Sequence, residues 1–176
     1  MFLGMQNDLI AYAAKTKEEL KNLENIRFSE IVETEENYVF DGASYVLETD
    51  CIKKLKNEKH SENTQKANDA IDYGYVEFKN AKFETNAKTL NDLKSVRDLC
   101  IALEQESYIW LSMDDKKLEL VINTEDITQD DFIQIGLIVQ TYKNDVWMNK
   151  YLTYKEQIEQ ARTIEELNEI VIDYER

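Results

Sequence analysis

Asp114 and Asp115 stand side by side in the stretch SYIWLSM-DDKK-LELVIN. Adjacent carboxylates are the residue types that hold cations or share acid and base work. Flanked by strand-like runs, they equally suit a reverse turn, where an aspartate bonds its own backbone; the turn reading is preferred. A second acidic run, TEDITQDD (124–131), lacks the central glycine and ligand spacing of a calcium-binding loop. His60 is the single histidine, which excludes multi-histidine metal sites and most histidine-based triads; its polar surroundings mark it as an exposed side chain. Cys51 and Cys100 fit neither a C-x-x-C nor a zinc spacing, so a reduced, cytosolic origin is expected. Gly4, Gly42, Gly74 and Gly136 are isolated, and no phosphate-cradling loop or nucleophile elbow can be drawn through them. With 36 acidic residues, carboxylate pairs of the glycosidase kind will arise by chance, and none is singled out. No catalytic, cofactor-binding or metal-ligating residue is therefore nominated, no partner-binding residue is identified, and no enzymatic activity or cofactor is expected.

The elements that would position any such residues follow from composition and periodicity. A chain of 176 residues suits one ordinary domain, or one with a small appendage, and 43% hydrophobic residues can fill a core. The N-terminal MFLGMQNDLIAYAAK carries neither a basic leader nor a long apolar run, so no signal peptide is expected, and no segment reaches the roughly 20 apolar residues of a membrane span. The net charge of −15 repels phosphate backbones, which argues against direct nucleic-acid binding. An acidic inhibitor that mimics nucleic acid would need its carboxylates on one face, whereas they are dispersed. Proline is absent where an average chain would hold about nine, and Asn, Lys, Ile, Tyr and Glu abound. This codon bias points to a low-GC bacterium or its phage.

Residues 1–48 read as a small β-rich attachment unit. A short apolar run (9–14) precedes a helix over 16–25, opened by a capping box of Thr16 and Glu19. Alternation at Phe28, Glu30 and Val32 follows, then a hairpin over 38–47 with Asp41-Gly42 as its two-residue turn. Residues 49–72 form a connecting helix, and the stretch 56–66, polar all round, is expected to be solvated. The body, 73–176, opens with a hairpin over 75–85 around Asn80. A helix over 89–106 capped by Thr89 comes next, then a second hairpin over 107–122. A helix over 129–161, about 50 Å long, has a first half apolar nearly all round and therefore deep in a core, then an aromatic stripe of Trp147, Tyr151, Tyr154, Ile158 and Ala161. A last helix, 163–175, opens with a second capping box at Thr163 and Glu166. Leu99, Trp110, Ile135 and Leu137 are expected in the core. The fold class is α+β.

The segment from about residue 53 onward resembles a C-terminal domain of unknown function found in bacteriophage and prophage tail and tail-fibre-associated proteins. The resemblance runs in order. It begins with the polar Lys/Glu-rich helix and the hairpin YGYVEFKNAKFET. It continues through YIWLSMDDKKLELVINTEDI to VWMNKYLTYKEQIEQARTIEELNEI, whose closing Ile-x-x-Ala-x-Thr-x-Glu-Glu-Leu is the most characteristic piece. It covers roughly two-thirds of the chain. It implies a structural or adaptor protein of a tail, baseplate or fibre, or of a phage-tail-like bacteriocin, made in the bacterial cytoplasm. Its partners would be other tail, baseplate or fibre proteins, with an oligomer inside the particle open. The alternative implied is a tail-fibre assembly chaperone. On this reading residues 1–48 attach to a neighbour, and deleting them leaves a soluble, folded, helical fragment.

Overall fold

A computed structural model describes every residue except Asp8, Glu24, Asn25, Arg27, Glu175 and Arg176. The protein is α+β, with a small N-terminal sheet, several hairpins and a long helix towards the C-terminus. It divides into two compact units. The first comprises Met1–His60 and Ile158–Ile170, the second Ser61–Gln157 and Val171–Arg176. The first crossing thus falls inside the helix expected to connect two bodies, at residue 60 rather than at 48 or 72.

In the first unit, β1 (Phe2–Gln6) is the centre of an antiparallel sheet, with β2 (Leu9–Ala14) on one side and β3 (Glu30–Glu33) on the other. The apolar MFLGM run is thereby enclosed: Leu3 pairs with Ala13 and Val32 and is buried. Gly4 admits no side chain, because a Cβ there would lie 2.4 Å from the Phe28 ring. The first capping box forms, with Glu19 N donating to Thr16 Oγ1 at 3.2 Å and Thr16 N to the Glu19 carboxylate. It opens α1 (Lys17–Lys21), which is shorter than the 16–25 expected and buries Leu20; Glu24 and Asn25 lie outside the described residues. β4 (Tyr38–Phe40) and β5 (Tyr45–Leu47) make the anticipated hairpin, but residues 41–44 all belong to its loop. The Asp41 carboxylate accepts from the amides of Ala43 and Ser44, so aspartate shapes the wider loop that displaces a two-residue turn.

The same unit holds the start of α2 (Glu48–Asp72), the end of α5 (Leu152–Gln160) and α6 (Ile164–Glu169). Here the polar stretch of α2 is not the solvated spacer its composition suggests. Lys56 Nζ donates to the Glu159 carbonyl (2.7 Å), Lys59 Nζ to the Ile170 carbonyl (2.9 Å), and His60 Nε2 lies 3.0 Å from Glu159 Oε1. The last carbonyls of a helix have no intrahelical donor, and long basic side chains supply one. The second capping box forms at Thr163 and Glu166, with Ile158, Ala161 and Leu167 buried around it. The last helix stops at Glu169 instead of continuing to 175. The β-branched run Ile170-Val171-Ile172 resists helix, and the chain continues without regular secondary structure through Tyr174.

In the second unit, β6 (Tyr75–Phe78) and β7 (Ala81–Glu84) form the hairpin expected around Asn80. Lys79 and Asn80 both have positive φ, the pattern of the mirror-image turn that matches strand twist. α3 (Ala87–Ala102) is capped by Asn86, whose Oδ1 accepts from Thr89 N, rather than by Thr89 itself. It ends before 106 because Glu104 turns left-handed and Gln105 N returns to the Cys100 carbonyl. β8 (Ser107–Leu111) and β9 (Lys117–Val121) make the second hairpin. A 3₁₀ turn, Ile127–Gln129, leads into α4 (Asp131–Asn144). The long helix runs on through a π-helical segment, Asp145–Tyr151, into α5. The aromatic stripe is present in that stretch: Trp147, Tyr151 and Tyr154 are half-buried.

The core of this unit gathers both hairpins, α3 and α4, with Phe83, Leu93, Cys100, Leu120, Phe132 and Ile135 among its buried members. Trp110 packs half-buried against it, edge-on to Phe132. Two expectations fail here. Leu99 is 58% exposed, since Leu93, Val96 and Cys100 form the inward stripe of α3. Leu137 is 63% exposed: α4 buries only the face of Phe132, Ile135 and Val139, so its first half is not deep in a core on all sides. A unit of this size has partners for one face of the helix, not for its whole circumference. Among the described residues, no helix is long and apolar enough to cross a membrane.

Candidate functional site

The second unit carries a groove of about 720 Å³ where the end of α2 meets Ile172, Asp173 and Tyr174. That volume is within the range of ligand and side-chain pockets. Asp69, Tyr73, Tyr75, Tyr142, Asp173 and Tyr174 supply most of its chemistry. Gly74 joins α2 to β6 so tightly that a Cβ would lie 2.1 Å from the Ala70 carbonyl oxygen; only glycine turns the chain there. Tyr142 reaches from α4 and donates its hydroxyl to that same carbonyl at 2.9 Å, which fixes one ring in the wall.

The opposite wall is the segment from Ile172 to Tyr174. Hydrogen bonds in both directions hold it. Lys66 Nζ bonds the Ile172 carbonyl (2.9 Å), Tyr154 Oη the Asp173 carbonyl (2.9 Å), Lys150 Nζ the Tyr174 carbonyl (3.4 Å), and Asp173 N donates back to Tyr154 Oη (3.1 Å). At its end Tyr174 donates to Asn63 Oδ1, and Asn63 Nδ2 donates to the Tyr151 carbonyl in the π-helical segment. Burial, with smaller contributions from Tyr154 and Tyr151, pushes the Tyr174 phenol up to about 12, so it remains a hydrogen-bond donor. The result is a tyrosine-walled concavity with carboxylates at its margin.

The residues singled out for their chemistry serve the fold. Asp114 is more than a turn residue. Its carboxylate takes the Lys82 amide (3.0 Å), the Ser112 hydroxyl (2.7 Å) and the Lys116 ammonium (2.8 Å), and so ties the second hairpin to the first. The Lys116 bond, then those from Lys82 and Ser112, hold it well below the usual carboxylate range. Asp115 sits beside it with positive φ in the turn. Within 124–131, Asp126 caps the 3₁₀ turn; the Thr128 hydroxyl first, and then its amide, hold that carboxyl below the usual carboxylate pKa. Asp130 and Asp131 are buried. Asp130 accepts from Arg97 Nε (2.9 Å) and caps α4 through Ile133 N, and Asp131 accepts from Lys79 Nζ (2.6 Å) and Val121 N (2.7 Å). Cys51 and Cys100 are free thiols. Among the described residues, no group of three or more His, Cys, Asp or Glu is placed to hold a metal ion.

Sequence reasoning missed the groove, the buried carboxylates and Asn63. One signal was available: Ile172, Asp173 and Tyr174 alternate apolar, polar, apolar, and the structure buries Ile172 and Tyr174 while exposing Asp173. Asn63 gave none, since a polar residue in a polar helix looks solvated until its partners are known. No protein-family model matches the chain, and no curated protein or solved structure proved significantly similar to it.

Proposed function

We propose that this chain is a structural or adaptor component of a phage tail, baseplate or tail fibre, or of a phage-tail-like bacteriocin, acting by protein–protein contact without catalysis. What supports the reading is where the motifs of the resemblance fall. In the closing Ile-x-x-Ala-x-Thr-x-Glu-Glu-Leu, Ile158, Ala161 and Leu167 are buried and Thr163 and Glu166 form the capping box. The hairpin motif contributes Gly74 and Tyr75 to the groove. The pattern is thus one of architectural positions and a docking concavity, and half-wet tyrosines suit an interface. An in-frame deletion in the source strain tests it: particles should lose a component or fail to assemble, while unchanged particle form and infectivity would refute it. An assembly chaperone for tail fibres is the second reading, favoured by the apolar side chains of Leu137 and Ile138 that α4 leaves at the surface.

A further inference from the structure

Antiparallel strands that lie on a core usually turn polar side chains outward. The second hairpin does not. In β8 and β9, Trp110, Leu118 and Leu120 pack on the core, so the alternate positions 107, 109, 111, 117, 119 and 121 form the outward face. That face carries Ile109 (58% exposed), Leu111 (59%) and Val121 (41%). Clustered aliphatic side chains at a surface mark a place of contact. The charge of the face is equally unusual. Lys117 and Glu119 are its only ionised residues, and they cancel, in a chain that carries −15. Ser107 Oγ donates to Glu119 Oε1 at 2.7 Å and orients that carboxylate, while Lys117 has no ion partner among the described residues. The other charges lie in the hairpin loop, where Lys116 offsets Asp114 at 2.8 Å and Asp115 remains.

A face without net charge does not select a strongly charged partner, but this one complements itself. Consider a two-fold axis in the plane of the face, perpendicular to the strands, at the level of the Trp110–Leu118 pair. It maps position 109 onto 111 and position 117 onto 119. Ile109 of one copy then lies over Leu111 of the other, and Lys117 lies over Glu119, each twice. Stacked sheets stand about 10 Å apart, a gap that aliphatic side chains and a Lys–Glu pair both fill. The contact uses the same patch on both copies and closes at two.

We propose that the outward face of this hairpin pairs two copies of the chain into a symmetric dimer. The pairing rests on the hairpin alone and is independent of the tail assignment. The face is small, so a weak dimer is expected, with a dissociation constant of about 100 μM. The test is sedimentation equilibrium of the full chain between about 10 μM and 1 mM, in about 0.15 M salt to screen repulsion between acidic copies. The mass should rise from that of a monomer towards twice that value. Ile109→Ser and Leu111→Ser, both at exposed positions, should each weaken association about tenfold or more while leaving the amide spectrum otherwise in place. Lys117→Glu and Glu119→Lys each set like charges opposite one another and should weaken it several-fold. Mixing those two variants sets opposite charges at every such position and should restore the dimer, which a folding defect would not allow. A monomer at about 1 mM, a dimer untouched by both serine variants, or a mixture that fails to recover would overturn the proposal. So would a chain that stays monomeric and shows shifts at the Ile109 amide only when a different protein is added, since the face would then belong to that protein.

Discussion

Tyr174 gives its phenolic hydrogen to Asn63 Oδ1 over 2.6 Å, although the two residues are 111 positions apart in sequence. Both are buried, and Asn63 donates onward to the Tyr151 carbonyl. This chain of bonds fixes Tyr174 against α2 and the π-helical segment, and with it one wall of the groove.

Tyr174→Phe removes the donor and leaves a buried amide oxygen unsatisfied. The expected cost is about 1–3 kcal/mol of stability, read as a lower urea midpoint. A midpoint equal to that of the unaltered chain would mean the bond is dispensable.

The same phenol makes stability pH-dependent in a defined window. Its folded value is raised to about 12, above its ordinary 10.0, so the folded state keeps a proton that the unfolded chain loses first. Stability from this group is complete below pH 10 and is lost as pH climbs towards 12. The difference in unfolding free energy between the unaltered chain and Tyr174→Phe should therefore shrink across that interval. A constant difference would contradict the assignment.

Two basic residues answer the buried carboxylates at the start of α4, and they should differ in weight. Arg97, itself largely buried, faces the fully buried Asp130; Arg97→Met should cost about 3 kcal/mol by stranding that charge. Lys79 meets Asp131 from a position 49% exposed, and Lys79→Met should cost about 1 kcal/mol or less. Chemical denaturation of the two variants checks the order, and a reversed order would show that exposure does not govern these pairs.

Much of this architecture was legible in the sequence because it is locally encoded. The capping boxes at Thr16 and Thr163, the turn at Asn80 and the aromatic stripe of the long helix all depend on residues a few positions apart. What was not legible depends on distant partners. Lys56, Lys59 and Asn63 look solvated until the C-terminal carbonyls and Tyr174 are brought to them. Leu99 and Leu137 satisfied an apolar pattern, but burial was decided by which helix face found a neighbour. The groove was hidden for the same reason, since its walls come from α2, α4 and the segment from Ile172 to Tyr174.

The division into units also alters the outcome of removing residues 1–48. Those residues belong to one compact unit with Ile158–Ile170, in which Leu20 and Leu167 are both fully buried. A fragment beginning at residue 49 should unfold at lower urea than the full chain and bind a hydrophobic dye, instead of persisting as an independent body. An unchanged midpoint without dye binding would restore the view of residues 1–48 as a detachable attachment unit.

The central claim, a protein that stays in an assembled tail, is tested most directly by quantitative mass spectrometry of purified particles from the source strain. The account predicts this chain at a fixed ratio to the other tail proteins through successive purification steps. Its absence from mature particles, with abundance in the lysate, would contradict that claim and favour the chaperone.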